Sequence, residues 1–161
     1  MRSRLKPLVA TAALSFAALS AHAQENVRWG IPMAFGANLI GLGDTMPWVS
    51  EQLKKVSGGT INLQVFEPGK LVPALGIFDA VASGKVEAGY SFMGYEVGKV
   101  PVSAIFGALP FGMETPQYAA WIYYGGGDAL LKEAYKPHNV YPIFCGSISP
   151  EAAGWFKKEI K

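Results

Sequence analysis

The sequence predicts an α/β protein built on a mainly parallel sheet, and three observations carry that reading. Strand-like and helix-like segments alternate along the chain, an order that favours parallel pairing through crossover helices. The central stretch from Phe66 to Tyr95 runs from a strand end through a Pro68-Gly69 break into an amphipathic segment, then a Gly84 stop and a second apolar strand. The two loops of this unit point the same way, and open sheets of this kind hold ligands in the crevice at the carboxyl ends of their strands.

Ahead of the first strand, Arg2, Arg4 and Lys6 precede an apolar run from Leu8 to Ala21, closed by Ala21-His22-Ala23. This is the pattern of a secretory leader cut after Ala23, so residues 1–23 read as a signal peptide and the remainder as an exported chain in the periplasm. The run falls short of the roughly 20 apolar residues that a membrane span needs. The formal charge of +2 becomes −1 once the three basic residues of the leader are gone. No basic cluster larger than Lys157-Lys158 with Lys161 remains, which leaves nucleic-acid binding without an electrostatic footprint. Cys145 is the single cysteine, so no internal disulfide forms, and its flanks Ile143-Phe144 and Gly146 predict a buried strand thiol.

Val27 to Ile31 is an apolar run of strand formers that ends at Pro32. Thr45 to Val56 reads as a helix, with Asp44 or Thr45 as cap, Pro47 in the first turn, and Trp48, Val49, Leu53 and Val56 at helical spacing. Gly58-Gly59 stops it. Thr60 to Phe66 alternates Ile61, Leu63 and Val65 against Asn62 and Gln64, the mark of a half-buried strand. Leu71 to Ala82 places Leu71, Leu75, Phe78 and Ala82 on one helix face, with Pro73 tolerated in its first turn. Val86 to Met93 is expected to return to the sheet. Val102 to Leu109 is either a short strand or a helical turn. Thr115 to Tyr135 reads as one or two helices, broken at Gly125 to Asp128, and Tyr141 to Cys145 as a further strand.

No catalytic constellation stands out. His22 belongs to the leader, His138 sits in a polar Lys-Pro-His-Asn turn, and no G-x-S-x-G elbow presents a serine. No pair of Cys or His residues has zinc spacing. Gly41-Leu42-Gly43 is a poor dinucleotide fingerprint, because Pro47 stands where helix packing wants a third glycine. An exported α/β enzyme using His138 remains the alternative to a binding protein, and a partner-binding domain of the same fold is a third reading. Phe35, Tyr90, Phe92, Tyr95, Phe111 and Trp155 all fall at or beside loops that follow predicted strands. Together with Asn38 and Glu151 they suit a mostly apolar pocket with a few polar groups.

Several stretches carry a family likeness: the exported start, WGIPMAF in the first strand, EPGKLVPALGIFDAVASGKVEAGYSFMGYEVGK, ALPFGM and SPEAAGWFKKEI. They resemble the solute receptors of tripartite ATP-independent periplasmic (TRAP) transporters, the DctP family, and within it the branch that binds 2-oxo acids or lactate. The likeness covers essentially the whole mature chain but only about the first half of a typical member. It implies that residues 24–161 form the amino-terminal lobe and the start of the crossover of a two-lobed, type II periplasmic-binding fold, with the second lobe missing. Such a receptor closes on a small organic anion and hands it to membrane permease subunits driven by an ion gradient.

By the same resemblance, the loop from Phe35 to Asn38 and Tyr95 line the solute pocket, and Glu151 faces a bound metal or the solute. Relatives often carry glutamine there, so a glutamate either strengthens cation binding or caps the turn after Pro150. The family also implies a sodium or calcium ion bridging protein and solute carboxylate, an environment of hard oxygen ligands. Its main carboxylate clamp is an arginine downstream of the Gly-Trp-Phe element. The mature chain holds only Arg28, inside the first strand, so no residue is assigned to the clamp. Homodimerisation in this branch is attributed to a carboxy-terminal helix.

Overall fold

The computed structural model describes residues 25–107, 109–148 and 156–159; the leader and Glu151 lie outside them. Two parallel strands, β1 (Val27–Pro32) and β2 (Ile61–Phe66), pair in register from Val27 opposite Ile61 to Pro32 opposite Phe66. Their crossover is α1 (Thr45–Val56), which keeps the predicted bounds and is stopped by Gly58 and Gly59 at φ 61° and 89°. On β2 the alternation holds, since Leu63 is buried between exposed Asn62 and Gln64. The Ser50 hydroxyl of α1 donates to the Leu63 carbonyl at 2.6 Å and pins the helix to the strand. Trp48 and Val56, expected on the packed face of α1, are 61% and 81% exposed.

After Gly69, at φ 76°, the chain does not enter a helix at Leu71. Pro73 stays extended at φ −57° and ψ 144°, and a residue ahead of proline is itself pushed out of helical space. A 3₁₀ turn, Ala74–Gly76, leads instead into the short α2 (Ile77–Ala82), leaving Leu75 70% exposed. The expected strand from Val86 to Met93 is also corrected. It reduces to one parallel bridge, Met33 opposite Tyr90, in which the Tyr90 N–H donates to the Pro32 carbonyl and the Ala34 N–H to the Tyr90 carbonyl, both at 2.9 Å. Pro32 has no N–H to extend that ladder. Gly89 is held so close to α2 that a Cβ on it would lie 2.3 Å from Ile77 Cγ2. The strand-helix-strand unit thus closes, but through a single residue of its last segment.

A 3₁₀ turn at Met93–Glu96 precedes α3 (Ser103–Gly107), so the helical alternative for that region is the one realised. Then come α4 (Thr115–Tyr124) and α5 (Gly127–Tyr135), separated where Gly126 takes φ 90°. Glu114 caps α4, exchanging hydrogen bonds with Gln117 in a capping box. The strand predicted from Tyr141 to Cys145 is not formed among the described residues: the segment pairs with no neighbouring strand, and Pro142 offers no donor. Cys145 is consequently exposed rather than buried. His138 is half-buried, its ring 5.7 Å from that of Phe78.

Among the described residues the core lies in two clusters. Phe78, Val100, Phe106, Ile122, Leu131 and Tyr135 fill the space between α2, α3, α4 and α5. Val72, Ile77, Ala80 and Val86 form a second group around α2. Among the described residues no helix is long and apolar enough to cross a membrane.

Candidate functional site

A cavity of about 540 Å³ opens at the carboxyl end of β1. One wall is aromatic. The Met33–Tyr90 bridge brings the chain leaving β1 beside the 90–92 segment, so the Phe35 ring stands edge-on to Tyr90 with centroids 6.3 Å apart. Behind it, Tyr95 packs on Phe35 at 6.1 Å and on Phe92 at 5.5 Å. The opposite wall comes from α3, α4 and the 143–148 segment. There Phe106 stacks on Trp121 at 5.5 Å, and the Tyr118 hydroxyl donates to the Phe106 carbonyl at 2.7 Å.

The loop between β1 and α1 roofs this space. The Leu39 carbonyl accepts from the N–H groups of Leu42, Gly43 and Asp44 at 3.2, 2.7 and 3.3 Å. Asp44 Oδ1 accepts from the Gly41 N–H at 2.7 Å, and Glu67, just past β2, accepts from the Ala37 N–H at 3.3 Å. The loops after β1 and β2 are thereby joined at one sheet end, the arrangement that the order of elements predicts. Gly43 is indispensable to the fold of this loop, because a Cβ there would lie 1.8 Å from the Gly36 carbonyl oxygen.

The polar groups facing the cavity are few. Thr45, Ser91, Thr115 and Ser147 supply hydroxyls, and the Ser147 and Thr115 oxygens lie 3.3 Å apart. Burial pushes the phenols of Tyr90 and Tyr118 above their usual range, so both stay neutral. Among the described residues, Glu114 is the charged one in the lining, and it is committed to capping α4. A pocket of this kind encloses a small, partly apolar molecule and orients it through hydroxyl and backbone contacts. Among the described residues no group of three or more His, Cys, Asp or Glu stands ready to hold a metal ion.

Of the predicted site residues, Phe35 is in the cavity wall. Tyr95 supports it from behind and is 46% exposed at the surface. Asn38 sits on the exposed side of the roof loop, and Glu151 lies outside the described residues. Phe111 does line the cavity, at φ 57° and fully exposed, whereas Trp155 is outside the described residues. Thr45 and Ser91 were not legible as site residues. For Ser91 a signal existed in its place between Tyr90 and Phe92.

Residues 43–143 match the family model described as bacterial extracellular solute-binding protein, family 7 (DctP). The chain belongs to this family. Its members are binding receptors, which removes the enzyme alternative built on His138, and their extracytoplasmic location agrees with the periplasm predicted from the leader. Over 136 residues the chain is 37% identical to a monocarboxylate 2-oxoacid-binding periplasmic protein of Nostoc sp., an alignment covering 84% of this chain and 37% of that protein. A TRAP periplasmic solute-binding protein of Pseudoalteromonas atlantica, solved with sodium and pyruvate, superposes with a TM-score of 0.67 and 36% identity, over 71% of this chain and 35% of that one. A TRAP solute-binding protein of Bordetella bronchiseptica, a dimer with calcium and picolinate bound in one active site, gives 0.70 and 29% over 73% and 35%. The chain therefore spans about a third of the length of these relatives. Their fold is the periplasmic-binding architecture that the sequence predicts.

Proposed function

We propose that the protein is a periplasmic receptor for a small monocarboxylate of the 2-oxo acid or lactate class, which it delivers to the permease subunits of a TRAP-type transporter. The observation that carries this reading is the aromatic cavity at the carboxyl end of β1, walled by Phe35, Tyr90 and Phe92 and supplied with hydroxyls rather than catalytic groups. It suits a ligand of a few carbons with one polar end. Family membership supports receptor function, and the ligands of the similar proteins, 2-oxo acids among them, support the class.

In this reading Phe35 and Asn38 shape the mouth, Tyr95 buttresses it, and Glu151 in the SPEAAGWF element is the carboxylate that faces the solute or a sodium or calcium ion. Metals accompany the ligands of two similar proteins. Lysine and arginine are missing from the described lining, so the solute carboxylate draws its counter-charge from outside these residues. Homodimerisation is supported by the dimeric Bordetella relative.

Thermal-shift measurements on the native protein with pyruvate, lactate, longer 2-oxo acids and dicarboxylates, each with and without calcium, test the reading. A ligand at a hundred times its Kd adds about 2.7 kcal/mol of stability. Stabilisation by a 2-oxo acid is the expected result, and no shift with any of these acids would overturn it.

A further inference from the structure

Among the described residues, Glu96 is the charged side chain that the fold buries, at 6% exposure. Its carboxylate is gripped from two sides: the Ser91 hydroxyl donates to Oε1 at 3.3 Å and the Tyr135 hydroxyl donates to Oε2 at 3.2 Å. Ser91 belongs to the cavity wall, and Glu96 closes the 3₁₀ turn that carries Tyr95. The Glu96 carbonyl also accepts from the N–H groups of Lys99 and Val100, both at 2.8 Å, which ties that turn to the next. One carboxylate thus connects the 90–92 wall, the Tyr95 turn and α5, elements 39 residues apart along the chain.

The arrangement is a poor way to gain stability. Removing a carboxylate from water is costly, and hydrogen bonds to the charged group only roughly offset that cost. What the two bonds do contribute is direction, because each oxygen has one donor at a set position. Lys99, the nearby cation, is turned outward to Asp79 at 2.6 Å and leaves the carboxylate to Ser91 and Tyr135. Tyr135 is itself buried, with an edge contact to Phe78 at 5.9 Å. Burial and the adjacent carboxylate hold its phenol far above the usual range, so it remains a donor.

We infer that Glu96 is a positioning residue for the solute pocket: by holding Ser91 and the Tyr95 turn against α5, it sets the aromatic wall that the ligand meets. The inference rests on the receptor reading for its ligand, but not for the geometry of the wall. Both are separable by experiment on the native protein and its Glu96→Ala, Glu96→Gln and Tyr135→Phe variants. One readout is the Kd for pyruvate by calorimetry, well below each melting point. The other is the ¹⁹F resonance of Tyr95 in ligand-free, fluorotyrosine-labelled protein, assigned with Tyr95→Phe.

Glu96→Ala is expected to weaken pyruvate binding about tenfold, equivalent to about 1.4 kcal/mol, and to move the Tyr95 resonance. Glu96→Gln should keep both near native, since its amide accepts from Tyr135 and donates to the Ser91 oxygen. Tyr135→Phe, which removes one donor, should fall between and keeps the test alive if Glu96→Ala does not fold. Native Kd and an unmoved resonance in folded variants would overturn the inference. A moved resonance in a protein that binds none of the 2-oxo acids even as wild type would uphold the wall geometry and overturn the receptor reading.

Discussion

Met33 and Tyr90 meet in a single parallel bridge, and through it the cavity wall hangs on β1. The Tyr90 N–H donates to Pro32 and the Tyr90 carbonyl accepts from Ala34, both at 2.9 Å. Tyr90→Pro removes that donor and leaves the Pro32 carbonyl short of a partner, so it should cost about 1–3 kcal/mol by urea unfolding. Tyr90→Phe keeps the bridge and the ring and should stay close to native. Equal midpoints for the two variants would show that the bridge contributes nothing.

Gly43 lies in the roof loop with no room for a side chain, its would-be Cβ 1.8 Å from a backbone oxygen. Gly43→Ala must open the loop, since a backbone atom cannot step aside as a flexible side chain does. A loss of about 1–3 kcal/mol is expected, as for other overpacked sites, together with weaker solute binding. Retention of native stability and affinity would show that the loop is held differently.

Leu131, 0% exposed, is the best-buried side chain of the cluster joining α2 to α5. Leu131→Ala should destabilise by about 2–5 kcal/mol through lost burial and the cavity left behind. Tyr124→Ala, at a position 91% exposed, should stay within about 0.5 kcal/mol. Paired denaturation curves that coincide would contradict this placement of the core.

Glu96 predicts a pH signature. Burial holds its carboxyl above the usual carboxylate range, against the lowering effects of the Tyr135 and Ser91 hydrogen bonds and the Lys99 charge. The folded state then binds this proton more tightly than the unfolded chain. Its contribution to stability is largest below the ordinary carboxylate pKa and is lost as pH rises through the raised one. Glu96→Gln cannot ionise, so it should gain on the native protein as pH is raised from the ordinary carboxylate range towards neutrality. Stability-pH curves that run parallel would sink this expectation.

Several elements were legible because their signals are local. The Ile61-Leu63-Val65 alternation and the Gly58-Gly59 stop marked β2 and the end of α1, and the Gly125 to Asp128 break divided α4 from α5. The errors arose where a neighbour decides. Tyr141 to Cys145 has strand composition, but no strand pairs with it among the described residues, and Leu71 lost its helix to the geometry of Pro73. In the site, Phe35 was readable as an aromatic beyond a strand. Nothing around Glu96 distinguishes it from any exposed glutamate, because its burial is conferred by Tyr135 on a distant helix.

The sequence by itself determined the leader pattern, the alternation of strands and helices, the turns at Pro68-Gly69 and Gly84, and the family likeness, all properties of residues near one another in the chain. Tertiary structure decided which aromatic rings face the cavity, that the last segment of the central unit joins β1 through Tyr90 alone, and that one carboxylate is locked inside. Periodicity states which faces can be buried. Which partner buries them, and which polar groups are carried in with them, depends on contacts between segments that no local pattern encodes.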